Sequence, residues 1–371
     1  MSSRKAVTMT IDERWMGYAL ELAEKGRGFT SPNPVVGACL VKNNRLVSSG
    51  FHAYFGAPHA EVEAIRRAGK RAHGATLYVT LEPCSTYGKT PPCTEAIREA
   101  GISRVVIAAI DPNPKHRGRG VSILKKSGIR LKTGILERDS EMQNGAFSKW
   151  IRSGTPFVTL KMAQSLDGKI ASRTGESRWI SGLEARQWVH RLRHSQDAIL
   201  VGKNTVLRDD PRLTVRNGRV LKMPWRIVLD EKGASSSHAR IFCVPGPAIL
   251  ACSEKYFWRA SQKFRNTKVT IVPLKSKSGR LNLTQLLKNL GALGVTSLLV
   301  EGGGEVAWSF LSAGLVDKVY WVVAPKIVGG RNAKTSVEGI GIGSLAQAYQ
   351  VQPTRVVRLG GDFLMEGYLR S

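Results

Sequence analysis

The chain has 371 residues, 42% of them hydrophobic and 23% charged, a composition that excludes a disordered or fibrous protein and points to two domains. Lys and Arg number 56 against 28 Asp and Glu, a formal net charge of +28 that predicts attraction to polyanions, nucleic acid and phosphorylated small molecules alike. No run reaches the roughly 18 apolar residues that cross a bilayer; the basic N-terminus lacks the apolar segment of a secretory signal, so a cytoplasmic location is expected, and five cysteines argue against a disulfide framework.

From the N-terminus, residues 11–25 have apolar positions at helical spacing, with a carboxylate pair in the first turn. Strands are predicted at 35–41 and 45–51 around the tight-turn pair Asn43-Asn44. A helix over 59–69 ends at Gly69 and a buried strand covers 76–81; a helix near 93–100, a strand at 104–110 and a helix before a strand near 129–133 follow. This order predicts a sheet between helices. Gly154 and Pro156 punctuate the segment 150–156, which is expected to join a first domain (1–150) to a second (151–371). In the second, strands are predicted at 157–163, 197–202, 225–230, 247–251, 268–273, 297–301 and 317–323, and near 354–358 and 363–369. Helices are predicted at 182–195, 282–293 and 304–313.

The strongest chemical signal is His59-Ala60-Glu61 followed by Pro83-Cys84 and Pro92-Cys93. A catalytic zinc needs three protein ligands and an open position, and one imidazole with two thiolates meets that count. Glu61, two residues past the histidine at a helix start, can face the open position as a proton shuttle without ligating. The pattern is that of zinc nucleobase deaminases, except that eight residues, STYGKTPP, separate the cysteines where two are usual. Lys89 in that loop is a point charge suited to a substrate phosphate. Two rival readings stand beside this one: a zinc deaminase acting on tRNA or single-stranded DNA, suggested by the charge, and a basic nucleic-acid-binding protein with a structural zinc. The second half is less specific: the glycine turn 302–304 before a helix suits a phosphate but is not a dinucleotide fingerprint.

The segments TSPNPVVGACLV, GFH at 50–52, PHAEV, TLEPCSTYGKTPPC and DPNP at 111–114 together resemble the riboflavin-biosynthesis deaminase–reductase family. The resemblance implies a cytidine-deaminase-like three-layer α/β/α domain with one zinc on His59, Cys84 and Cys93 and with Glu61 moving protons. It further implies that Asn33, Ala60 and Asn113 contact a pyrimidine, and His52, Lys89 and Asp111 a ribose and phosphate. In the second half, LKMAQSLDGKIA, GESRWI, TVLRDDPRLTVR, EGGG and APKIVGG resemble the reductase of the same family, with a dihydrofolate-reductase-like α/β fold and NADPH as cofactor. By position, Ala163, Trp179, Thr205, Asp209, Gly303, Gly304 and Glu305 would bind the cofactor; Ser177, Arg193, Leu213, Arg216 and Glu301 would hold the substrate, and Lys161 with Glu301 would assist proton movement. Residues 217–290 receive no assignment. The expected activity is hydrolytic deamination of a phosphorylated pyrimidine followed by reduction of its ribosyl group to ribityl. A homo-oligomer with neither a membrane nor a nucleic-acid partner is expected.

Overall fold

The computed structural model describes residues 9–87, 91–215 and 222–369, and the chain divides into two compact units, Met1–Gly154 and Thr155–Ser371. The first opens with α1 (Ile11–Glu24), whose start is a capping box: Thr10 Oγ1 accepts from the Glu13 N–H at 3.2 Å, and the Glu13 carboxylate accepts from the Thr10 N–H at 2.7 Å. There follow β1 (Gly37–Lys42), β2 (Arg45–Phe51), α2 (Ala60–Ala68), β3 (Thr76–Leu81), α3 (Cys93–Glu99), β4 (Arg104–Ala109), α4 (Arg119–Lys126), β5 (Arg130–Thr133), α5 (Glu137–Gln143) and α6 (Gly145–Ser153).

The strands form one sheet in the order β2-β1-β3-β4-β5, antiparallel around β1 and parallel from β3 to β5. Alternation along the strands gives each face its own core. On one face Trp15, Met16 and Ala19 of α1 pack on Cys39, Tyr78 and Val106. On the other, Ala60, Ala64 and Ala68 of α2, Ile97 of α3 and Leu124 of α4 pack on Leu40, Leu77, Val79 and Ile107. The result is the expected three-layer arrangement. At Gly50 a Cβ would lie 2.6 Å from the Ala60 carbonyl oxygen, so only glycine lets α2 lie against β2.

The second unit contains β6 (Phe157–Ser165), α7 (Leu183–His194), β7 (Ala198–Gly202), α8 (Lys203–Asp209), β8 (Trp225–Leu229), α9 (Arg240–Cys243), β9 (Ala248–Ser253), α10 (Phe257–Phe264) and β10 (Val269–Leu274). A small hairpin, β11 (Ser276–Lys277) and β12 (Arg280–Leu281), leads to α11 (Leu283–Ala292), β13 (Ser297–Val300), α12 (Gly304–Ser312), β14 (Lys318–Ala324), β15 (Val351–Leu359) and β16 (Asp362–Leu369). Nine strands make one sheet, β10-β9-β8-β7-β13-β6-β14-β16-β15, parallel as far as β14 and antiparallel beyond it. The chain starts in β6, steps outward through β7 to β10, then returns to place β13 between β7 and β6. The carboxyl ends of those three strands are where an open α/β sheet takes its ligand.

Several elements differ from the sequence expectation. α5 and α6 fill a stretch that received no element from the sequence, and α6 runs to Ser153, inside the expected hinge. α8, α9 and α10 were likewise not foreseen, and β15 extends well beyond 354–358. Among the described residues no helix is long and apolar enough to cross a membrane.

One ion cluster pins α1 to the sheet. The Asp12 carboxylate accepts from the Tyr78 hydroxyl at 2.9 Å, from Arg104 at 3.0 and 2.8 Å, and from Lys132 Nζ at 2.8 Å, reaching β3, β4 and β5 together. Burial opposes ionisation of Asp12, but the hydrogen bonds from Arg104 and Lys132 outweigh it and hold the carboxyl well below its ordinary 3.8. Its contribution is therefore complete above that ordinary value and is lost as pH falls toward the depressed one. Asp12→Asn should lower stability by about 2 kcal/mol at neutral pH, less than for a fully buried pair because Arg104 and Lys132 are partly exposed. The deficit should shrink below about pH 4. Urea midpoints measured at both pH values test this, and equal neutral-pH midpoints would remove the cluster's stabilising role.

Candidate metal centre and a second candidate site

His59 is the residue before α2, in extended backbone at φ −69° and ψ 159°, which swings its ring off the helix start. Cys93 is the first residue of α3 and Cys84 follows β3 by three positions, so three separate elements deliver the donors. His59 Nδ1 lies 3.2 Å from Cys93 Sγ and 3.5 Å from Cys84 Sγ, and the two sulfurs are 3.4 Å apart. Bonds of about 2.0–2.3 Å to a tetrahedral zinc put its ligands about 3.3–3.8 Å from one another, so the triangle fits three corners and leaves the fourth open. The Cys93 N–H also donates to Cys84 Sγ at 3.3 Å. Hydrogen bonding by Cys93, and then by His59, draws the Cys84 thiol down to about 4, the thiolate form that a metal requires.

Glu61 stands beside this triangle and outside it. Its side chain is only 3% exposed. Burial pushes its carboxyl up to about 7, against the opposing charge of His59. A carboxyl poised near neutrality beside an open coordination position can both take and return a proton.

Of the remaining expected residues of the first unit, His52 lies beside His59, with ring centres 5.4 Å apart. His52 Nδ1 lies 3.2 Å from the Pro58 carbonyl, an acceptor only, so Nδ1 carries the proton and Nε2 accepts from Asn33 Nδ2, also at 3.2 Å. Both ring nitrogens are thus engaged within the protein, which fixes the Asn33 amide and leaves its Oδ1 as the outward group. Ala60 is fully buried as the first residue of α2. Asp111 and Asn113 lie on the loop after β4, where Asp111 Oδ1 accepts from the Asn113 N–H at 2.8 Å and Asn113 Oδ1 from the Lys115 N–H at 3.1 Å. Lys89 lies outside the described residues.

Glu82 was not singled out in the sequence, yet its carboxylate is 5% exposed and accepts from the backbone N–H groups of Asp111, Gly118 and Val121. The available signal was a carboxylate directly after the apolar strand TLYVTL, where burial demands partners.

In the second unit the β6–β13 register pairs Leu160 with Val300, so Lys161 and Glu301 come next on neighbouring strands. Arg193, near the end of α7, donates from Nε and Nη2 to the two Glu301 oxygens, both at 2.7 Å. Burial raises the Glu301 carboxyl, but Arg193 more than reverses this and keeps it ionised; burial lowers the Lys161 ammonium, opposed by Glu301. Ala163 follows on the same face of β6. Gly303 precedes α12, which begins with Gly304 and Glu305. Thr205 and Asp209 lie on α8 after β7, and Ser177 Oγ donates to Asp209 Oδ1 at 3.2 Å. The Trp179 carbonyl accepts from Lys326 Nζ at 2.7 Å, while its ring is 62% exposed with the Arg186 guanidinium 4.4 Å above its centre. Leu213 is buried, with φ 47°. Arg216 lies outside the described residues.

Comparison with known proteins divides the chain in the same order. Residues 9–109 match the model for the cytidine and deoxycytidylate deaminase zinc-binding region, and residues 156–365 match that for the RibD C-terminal domain. The riboflavin biosynthesis protein RibD of Aquifex aeolicus is 42% identical over 355 residues, 96% of this chain and 98% of that one. The RibD of Escherichia coli is 40% identical, covering 95% of this chain and 97% of its own. Among solved structures, RibD of Acinetobacter baumannii superposes with a TM-score of 0.88 at 36% identity, covering 97% of this chain and 99% of that one. The diaminohydroxyphosphoribosylaminopyrimidine deaminase/5-amino-6-(5-phosphoribosylamino)uracil reductase of Thermotoga maritima gives 0.86 at 37% identity over the same shares.

The donor triangle generates a direct expectation. Replacing Cys84 or Cys93 by Ala removes one of three ligands and should cut bound zinc from about one per chain to below about a tenth. Elemental analysis after gel filtration measures it, and full retention in either variant would mean that the metal is held elsewhere.

Proposed function

The chain belongs to the RibD family of riboflavin biosynthesis proteins, and we propose from this that His59, Cys84, Cys93 and Glu61 carry out its deamination and that Lys161, Arg193 and Glu301 serve its reduction. It is a bifunctional deaminase–reductase of riboflavin biosynthesis, with a cytidine-deaminase-like zinc domain followed by a reductase domain of the NADPH-dependent type.

The deaminase substrate in this reading is 2,5-diamino-6-(5-phosphoribosylamino)pyrimidin-4-one, and the reaction replaces its ring amine with a carbonyl oxygen from water, releasing ammonia. Zinc on His59, Cys84 and Cys93 supplies Lewis acidity to the attacking water. Glu61 takes the proton that the water loses and delivers it to the departing nitrogen, which its burial and near-neutral titration support. Asn33, oriented by His52, and Asn113 and Ala60 line the pyrimidine, while Asp111 and Lys89 serve the ribose and phosphate. His52 acts here through Asn33, since its own nitrogens are engaged. The observation that carries the reading is a buried carboxyl beside three metal donors and separate from them.

For the reduction, NADPH when bound would be the source of the hydride. Ala163, Trp179, Thr205, Asp209, Gly303, Gly304 and Glu305 hold the cofactor; Ser177, Leu213, Arg216 and Glu301 hold the substrate. Arg193 orients Glu301 through two nitrogens and has Nη1 left for substrate. Lys161, whose ammonium burial destabilises, is suited to give up a proton as the sugar ring opens. The reading also includes activities divided near residue 150, a cytoplasmic location, a homo-oligomeric state and no nucleic-acid partner.

Incubation of the zinc-loaded protein with the diaminopyrimidine ribosyl phosphate and NADPH should release ammonia and then consume NADPH absorbance. Glu61→Gln should keep its zinc and its reduction of already deaminated substrate, while ammonia release falls by about 10²–10⁴-fold. Loss of metal in that variant, or undiminished ammonia release, would take the proton-transfer role from Glu61.

A further inference from the structure

We infer that Glu82 is a positioning residue of the deamination site, holding the loop of Asp111 and Asn113 in place relative to the metal ligand Cys84. Its side chain is buried, and every partner it has is a backbone N–H from one stretch of chain. Oε2 accepts from Asp111 at 3.1 Å and from Gly118 at 2.9 Å, and Oε1 accepts from Val121 at 3.1 Å. The Glu82 N–H itself donates to the Ala109 carbonyl at 2.9 Å, which fixes the side chain's starting point against the end of β4. An ionised carboxylate accepts only, and with two oxygens it can satisfy three converging donors where a hydroxyl or an amide cannot.

The chain of contacts continues to the groups that face the substrate. Glu82 fixes the backbone of Asp111, and Asp111 Oδ1 then fixes the backbone of Asn113. Asn113 Oδ1 is in turn taken by Lys115. Accounting for these atoms leaves Asp111 Oδ2 as an acceptor and Asn113 Nδ2 as a donor for the ligand. The first turn of α4, where that loop ends, sits directly on the segment that leads to Cys84, since a Cβ on Gly120 would lie 2.1 Å from the Pro83 carbonyl oxygen. Glu82-Pro83-Cys84 is therefore one short rail, with a metal ligand at one end and the anchor of the substrate loop at the other. Loss of Glu82 leaves three part-buried N–H groups without their acceptor, and the loop must move to satisfy them.

The inference rests on the reading that Asp111 and Asn113 contact the pyrimidine ribosyl phosphate, so the test separates the two. In the full-length, zinc-loaded protein, deamination kcat and KM are measured with zinc content and with reductase activity on already deaminated substrate. Glu82→Ala should raise KM at least about tenfold with less than about a threefold fall in kcat, leaving zinc and reduction unchanged. Glu82→Gln should be intermediate, since its one oxygen can keep the Asp111–Gly118 pair while its NH₂ group faces the Val121 N–H. Gly120→Ala, which displaces the loop by a separate route, should also raise KM and covers the case in which Glu82→Ala folds poorly. An unchanged KM in the Glu82 and Gly120 variants, with KM raised by Asn113→Ala, would overturn the brace. Zinc loss in Glu82→Gln would overturn it as well, placing Glu82 in the metal site. If Asp111→Asn and Asn113→Ala both leave KM unaltered, the reading of the loop fails and the inference with it.

Discussion

Two cysteines and an imidazole meet within 3.5 Å of one another in the first unit, next to a buried carboxyl, and holding these groups together constrains everything built around them. Deprotonated sulfurs 3.4 Å apart next to an ionised Glu61 would concentrate negative charge in a buried volume. A divalent cation on the three donors would cancel the charge of the two thiolates, and Glu61 then gains by remaining close to the metal without binding it. Such a centre works only if its donors arrive from rigid places. They come from the start of α2, the start of α3 and the segment after β3, with α2 packed on the sheet by small alanine side chains and α3 by Ile97. Gly50 brings α2 onto β2, and two residues later His52 reaches back to the carbonyl before His59.

The second unit solves a related problem with a different partner. Glu301 and Lys161 are neighbours because β13 is inserted between β7 and β6, a consequence of topology rather than of sequence proximity. A buried carboxylate there needs compensation, and Arg193 gives it in a two-point, planar contact. Arg193 keeps Glu301 ionised, while burial works against the Lys161 ammonium. Glu301 directly follows β13 and Lys161 stands midway along β6, so a carboxylate held ionised and an ammonium disfavoured by burial lie side by side.

The metal centre was legible in the sequence because its chemistry is local: His59 and Glu61 are two residues apart, and each cysteine follows a proline. Features that depend on distant partners were not. Asp12 and Glu13 read together as a carboxylate pair at a helix start, but only Glu13 caps; Asp12 turns inward to Arg104 and Lys132, more than ninety residues away. Glu82 carried no motif of its own, since its partners are backbone groups that only the fold brings together. α5, with the sequence ERDSEMQ, has too few apolar residues to show a helical period. Arg193 was read as a ligand for an anion, and the anion it meets inside the chain is Glu301.

The same preference for burying acids bears on the net charge. Among the described residues Asp12, Glu61, Glu82, Asp197, Asp230 and Asp362 are buried, whereas Arg226 is the one buried cation. Several of these acids accept from backbone N–H groups, which compensate them without using a basic side chain: Glu82 from Asp111, Asp230 from Ser235 and Asp362 from Gly182. Among the described residues acids are therefore withdrawn from the surface in larger number than bases, so the formal excess of +28 is carried on solvent-facing side chains. A field of that sign raises the local concentration of anions. A phosphorylated pyrimidine and NADPH are both anions, so both are drawn to the protein before any specific contact forms. Salt weakens such attraction over a Debye length of roughly 8–10 Å, whereas the Arg193–Glu301 pair, with side chains 16% and 8% exposed, is largely shielded from it. Long-range attraction and alignment within the sites thus rest on separate sets of charges.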